Sequence, residues 1–197
     1  MFSRKPCDLL EEAVAHPSAI RRLRLNRPGV SFEAFSQLLP QLTHIREIQL
    51  GWQTWTELPQ SLSDLQELRS LAVLNTPIQS FPAFLASCPH LTELVLRGTG
   101  ITSIPASVQA FRHLRRLDFS NNLTQEIPHE IGQLSELKEL QLADNGLKSL
   151  PESVADLRHL RSLALAGNRF SVIEASRVRG WFRSGVVSVS SSDDIAT

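Results

Sequence analysis

Four of the six histidines share one spacing. His44, His90, His113 and His159 fall on multiples of a 23-residue step, and Glu67 and Glu136 fill its remaining places. Imidazole suits zinc, copper, iron and nickel, and His90 and His113 on neighbouring strands about 4.8 Å apart could share such an ion. The column lies just ahead of each expected strand, at a solvated edge where polar residues cost little, so no metal is expected. His129-Glu130-Ile131-Gly132-Gln133 opens like a zincin helix, but Gln133 stands where that helix needs its second histidine. Gly98-Thr99-Gly100 lacks the third glycine of a nucleotide-binding turn, and the chain has no GxxxxGK, GxSxG or CxxC motif. Cys88 occupies an apolar column and is expected to be a buried, inert thiol, while Cys7 has no base partner in view. No catalytic residue, cofactor or metal follows from these residues. The chain does not read as an enzyme.

The elements that would position such residues are set by the same step. From Leu42, steps of 23 reach Leu65, Cys88, Phe111, Leu134 and Leu157. Apolar columns stand three, six and eight residues further on, as in Leu137, Leu140 and Leu142. Sixteen residues on come Leu58, Phe81, Ile104, Ile127, Leu150 and Ile173, the first five each followed by proline. The chain holds 31 leucines and no tyrosine. Columns six and eight alternate as in a short strand with one buried face. Beyond the proline the apolar spacing becomes three, a helical or 3₁₀ pitch. A strand and a short helical return make one coil, and stacking supplies the apolar partner that a single coil lacks.

Eleven residues on from each start stand Gln53, Thr76, Thr99, Asn122, Asn145 and Asn168. An inward amide there can satisfy backbone groups of its own and adjacent coils, and threonine has fewer donors and acceptors for the task. The N-terminal half is therefore expected to be the looser half of this ladder. Asn122-Leu123-Thr124 is formally a glycosylation sequon, but Asn122 belongs to the inward column and reads as structural.

At LSELKELQLADN (Leu134–Asn145) and LRHLRSLALAGN (Leu157–Asn168) the chain resembles the leucine-rich repeat, in the 23-residue form of intracellular repeats such as the Ras-associated group and bacterial effectors. The resemblance spans 42–173. It implies an α/β fold: a curved, right-handed solenoid with a parallel sheet on the concave face and short helices or 3₁₀ turns on the convex face. The whole chain, 1–197, is expected to be one domain. Its parts are a cap helix over 1–17 with a capping box at Asp8, an irregular first repeat over 18–41, and six repeats over 42–173. A C-terminal cap over 174–189, with a helix over Glu174–Arg183, and a tail over 190–197 complete it.

Twenty Lys+Arg balance 20 Asp+Glu, which gives no global pull toward nucleic acid or an anionic membrane. No apolar run is long enough to span a bilayer, and the N-terminus lacks the apolar stretch of a secretory signal. Two cysteines cannot frame a disulfide-rich domain, so a cytosolic-type reducing compartment is expected, a host cytosol in the case of an effector. Function is then expected on the concave face: a monomeric, non-enzymatic module that binds a protein partner. The alternative is the recognition part of a larger enzyme, such as a ubiquitin-ligase effector. Trp52, Leu74 and Val95 read as apolar anchors in consecutive coils, rimmed by Arg22, Arg24, Arg27 and Arg97, with Gln49, Arg116 and Asp118 on the same face. Residues 1–30 carry six basic against three acidic residues, so the expected partner is acidic; the C-terminal half of the face reads as small and bland. The competing reading of Trp52 is a packing residue folded over the first coil.

Overall fold

A computed structural model describes residues 10–189. Cys7, the Asp8 capping position, the rest of the expected cap helix before Leu10, and the 190–197 tail lie outside the described residues. Helix α1 (Leu10–Ala15) leads to strand β1 (Arg22–Leu25) and helix α2 (Phe32–Leu38). Strands β2 (Glu47–Gly51), β3 (Ser70–Leu74), β4 (Glu93–Arg97), β5 (Arg116–Asp118), β6 (Glu139–Gln141) and β7 (Ser162–Ala164) follow at the repeat step. Helix α3 (Val172–Gly180) and strand β8 (Val187–Ser188) close the described chain. All eight strands lie parallel in one open sheet, in chain order. Register is constant through the repeats: Ile48, Leu71, Leu94, Leu117, Leu140 and Leu163 stand side by side. Numbering each coil by its strand, coils two to seven are the six regular copies.

The inward residues of these strands are fully buried, as are Leu62, Leu85, Val108, Ile131 and Val154 on the opposite side of each coil. Pro59, Pro82, Pro105, Pro128 and Pro151 each stand immediately before a five-residue 3₁₀ turn. Proline suits that place because its missing N–H has no partner at the start of a helical turn. At Gly132 an added Cβ would fall against the backbone oxygen of Ser153 in the next coil's turn and 2.7 Å from its Cβ. Only glycine lets these two turns approach so closely.

The structure adds a core column that the sequence reading passed over. Thirteen residues on from each start stand Trp55, Ile78, Ile101, Thr124, Leu147 and Phe170, all buried. Trp55 is 6% exposed. Its ring stacks on Phe35 at 5.1 Å, meets Phe32 edge-on at 5.7 Å, and its Nε1–H donates to Val30 O at 2.9 Å. This aromatic group fixes α2, which Ser31 caps through its Oγ and Ala34 N–H (3.3 Å), against the regular array.

The polar ladder corrects one expectation. Thr76 Oγ1 donates to Leu74 O and accepts from Gln53 N–H, and Thr99 Oγ1 donates to Asn122 Oδ1 in the next coil. Gln53, however, makes as many side-chain bonds as Asn145. Its Nε2 donates to Leu25 O, Arg27 O and Gly51 O at 2.7–3.0 Å, and its Oε1 accepts from Val30 N–H at 3.3 Å. The extra methylene lets it reach the irregular first coil. The looseness is thus confined to coils three and four rather than spread over the N-terminal half.

Helix α3 starts at Val172, ahead of the expected Glu174, and ends at Gly180, because Ser171 Oγ accepts from Glu174 N–H (3.2 Å) and caps it there. Glu174 stands where earlier coils have proline, and its carboxylate accepts from Leu150 N–H at 3.2 Å. Arg177 donates to Leu150 O (2.8 Å) and to Glu174, with its guanidinium 4.7 Å from the Trp181 ring. The helix is clamped to the preceding coil by one glutamate and one arginine.

Candidate functional site

The outward face of the sheet, which the resemblance assigns to the concave side, is where side chains of neighbouring coils line up without a covering layer. Beyond each of strands β2 to β7, within three residues of its end, stands a residue with left-handed backbone: Trp52 (φ 55°), Asn75 (47°), Gly98 (64°), Asn121 (58°), Asp144 (54°) and Gly167 (71°). From Trp52 to Asp144, the N–H of each column member donates to a carbonyl in the next coil at 2.8–3.1 Å, which extends the ladder. Glycine, asparagine and aspartate accept that conformation readily, whereas a bulky side chain there costs roughly 1–2 kcal/mol. Trp52 is the exception in its column. It is 53% exposed, so its side chain is only partly packed.

Around Trp52 the face is uneven. Leu74 is half-buried beside it, and Trp52 N–H donates to Leu74 O at 2.9 Å. Gln49 is half-buried between Arg24 and Ala72 at the same register. Arg22 pairs with Glu47 at 3.0 Å, so its charge is already matched. Arg24, Arg27 and Arg97 are exposed and form no ion pair among the described residues. Val95 departs from expectation: only 8% exposed, it is a short side chain between Ala72 and Asp118 and is not an anchor. Arg116 and Asp118 depart too. Arg116 sits among Glu93 (3.3 Å), Asp118 (3.4 Å) and Glu139 (2.7 Å), and its Nε is buried without a hydrogen bond. Asp118 is buried, with its Oδ1 accepting from Ser120 N–H at 3.1 Å. The far half of the face is therefore acidic, not bland.

A family model described as leucine rich repeat matches residues 89–147 and again 112–170. Residues 89–170 of the array thus match leucine-rich repeats. Among solved structures, the leucine-rich-repeat ectodomain of the Arabidopsis thaliana receptor kinase GASSHO1/SCHENGEN3, in complex with Casparian strip integrity factor 2, is similar at TM-score 0.67 and 21% identity, over 94% of this chain and 25% of that one. The Drosophila Toll–Spatzle complex is similar at TM-score 0.66 and 23% identity, over 78% and 21%. A leucine-rich-repeat protein of Leptospira interrogans is similar at TM-score 0.57 and 22% identity, over 88% and 61%. At these identities the likeness is one of fold, and the chain spans 61% or less of the length of each. No curated protein matches the chain significantly.

The coils place the histidine column on the edge ahead of the strands, where two of its four histidines lie against the glutamate of the next coil. His44 Nδ1 lies 2.8 Å from Glu67, which also takes Arg46 Nε at 3.0 Å; His113 and Arg115 meet Glu136 in the same way. No group of three or more metal-ligating side chains occurs among the described residues. No helix among them is long and apolar enough to cross a membrane. His129 stands on an exposed 3₁₀ turn, not on the helix a zincin motif requires. Cys88 is 5% exposed, donates to Leu62 O, and burial pushes its thiol up to about 11. The sequon's Asn122 and Thr124 are both buried.

The hydrogen bond from His44, followed by that from Arg46, lowers Glu67 from 4.5 to about 2. A folded-state value below the unfolded one means that the pairing stabilises fully above the ordinary carboxylate range. It is lost progressively as pH falls from the ordinary carboxylate value of 4.5 through about 2. The carboxyl carbon of Glu67 should thus titrate near 2 by NMR, and His44→Asn should move its midpoint upward. A wild-type midpoint at the ordinary value would show that the pair does not form.

Proposed function

We propose that the chain is a non-enzymatic protein-interaction module whose partner docks on the outward sheet face over coils one to four. Trp52 carries the reading: a large aromatic residue, exposed and held in backbone that disfavours it, where the same place in the later coils holds Asn, Gly, Asn, Asp and Gly. Strain kept at a surface residue that packs little is a mark of function. Tryptophan and arginine are also enriched among residues that dominate binding energy. Leu74 extends the apolar contact, and the unpaired Arg24, Arg27 and Arg97 fit an acidic partner surface. Structures of similar fold include a receptor-kinase ectodomain in complex with Casparian strip integrity factor 2 and the Toll–Spatzle complex, which supports a protein partner on this architecture.

Trp52→Asn tests the reading. Asparagine already serves at this place in coils three and five, so stability should change by less than about 1 kcal/mol: relief of backbone strain offsets the loss of partial burial. Partner capture from a source lysate, read by mass spectrometry, should lose the proteins retained by the wild type. A folded Trp52→Asn protein that retains the same partners would overturn the site.

A further inference from the structure

We propose that the outward face reads the charge polarity of its partner, taking an acidic stretch at coils one to four and a basic residue at coils four to six. The inference rests on the docking surface proposed above and names the chemistry of what docks there. At one end Arg24 and Arg27 are exposed and form no ion pair among the described residues; Arg97, exposed and equally without an ion pair, stands on β4 with Glu93. At the other end three carboxylates, Glu93, Asp118 and Glu139, share the single guanidinium of Arg116. That arrangement leaves an excess of negative charge, and one guanidinium nitrogen within it lacks a hydrogen bond. The two ends belong to one continuous sheet of constant register, so a single partner crosses both.

An all-acidic segment anchored at Trp52 would run its far end over the carboxylates. Like charges set opposite one another are a common device for rejecting the wrong partner. The spacing follows from the strands. Coil two to coil five is three strand intervals, about 14 Å, which an extended chain covers in about four residues. The partner segment therefore carries acidic residues around a bulky apolar one, with a basic residue about four to six positions away.

Three synthetic peptides of equal length test this, each with a central leucine: acidic on both flanks, basic on both flanks, and acidic on one with basic on the other. Affinity is read by fluorescence anisotropy. The mixed peptide should bind the wild type at least about threefold tighter than the acidic one. That margin should vanish in the Glu93→Gln/Glu139→Gln double variant. It should vanish also at about 0.5 M salt, where screening acts within about 5 Å. Equal affinity for mixed and acidic peptides, or a margin that survives in the double variant, overturns the polarity. If Trp52→Asn then still abolishes binding, the docking surface stands without it. If no peptide binds the wild type, or Trp52→Asn binds all three unchanged, both the surface and its polarity fail.

Discussion

Replacing Trp55 with alanine should cost about 3–5 kcal/mol, the range of large aromatic truncations in packed cores. The indole stacks on Phe35, meets Phe32 edge-on, and donates its N–H to Val30 O. Aromatic pairs of this geometry are worth about 0.5–1.5 kcal/mol beyond the area they bury. Truncation also leaves the Val30 carbonyl without that donor. Since a repeat stack holds together by nearest-neighbour contacts, the loss should concentrate at one end. Amide exchange should rise across β1 and α2, while β5 to β7 keep their protection. Trp55→Phe should recover most of the stability, because the stacking survives and only the hydrogen bond is lost. An alanine variant within about 1 kcal/mol of the parent in urea would show that the first coil is held by other contacts.

Asn122→Leu should cost about 2–4 kcal/mol, although the two side chains are close in size. Asn122 Oδ1 accepts from Thr99 N–H (3.0 Å), Thr99 Oγ1 (2.8 Å) and Ile101 N–H (3.2 Å). Its Nδ2 donates to Leu96 O (2.6 Å), Phe119 O (3.0 Å) and Ser120 O (3.3 Å). Leucine offers none of these bonds, and the orphaned backbone groups lie where water does not reach. The measurement is the urea midpoint, with Arg158→Ala as control. That residue is exposed, and its loss should cost under about 0.5 kcal/mol. Equal midpoints for the two variants would show that the ladder contributes nothing to stability.

Residues whose role repeats with the coil were open to reading from spacing alone. Leu71, Leu94 and Leu117 each occupy the same environment, so their common type announces it. The left-handed column was equally available, since Asn75, Gly98, Asn121, Asp144 and Gly167 are the residue types that tolerate it. Once that column is seen, Trp52 stands out by breaking it. Trp55 was harder, because its column mixes aromatic, aliphatic and threonine side chains. The charge on the far half of the face was harder again. Glu93, Arg116 and Glu139 lie on adjacent strands at the 23-residue step, but Asp118 joins them only because the Arg116 side chain turns along its own strand. Val95 differs for a related reason: outward direction in a strand does not by itself give exposure.

The constant register of β2 to β7 makes each junction between coils interchangeable with the next. A tandem duplication of 23 residues would meet the same neighbours on either side and leave the core and the ladder whole. One extra coil between β3 and β4 would carry Arg116 and its three carboxylates about 4.8 Å further from Trp52. The face is in that sense a gauge with one graduation per coil. Chain copying can lengthen or shorten the partner it measures in whole steps, with no residue of either end having to change.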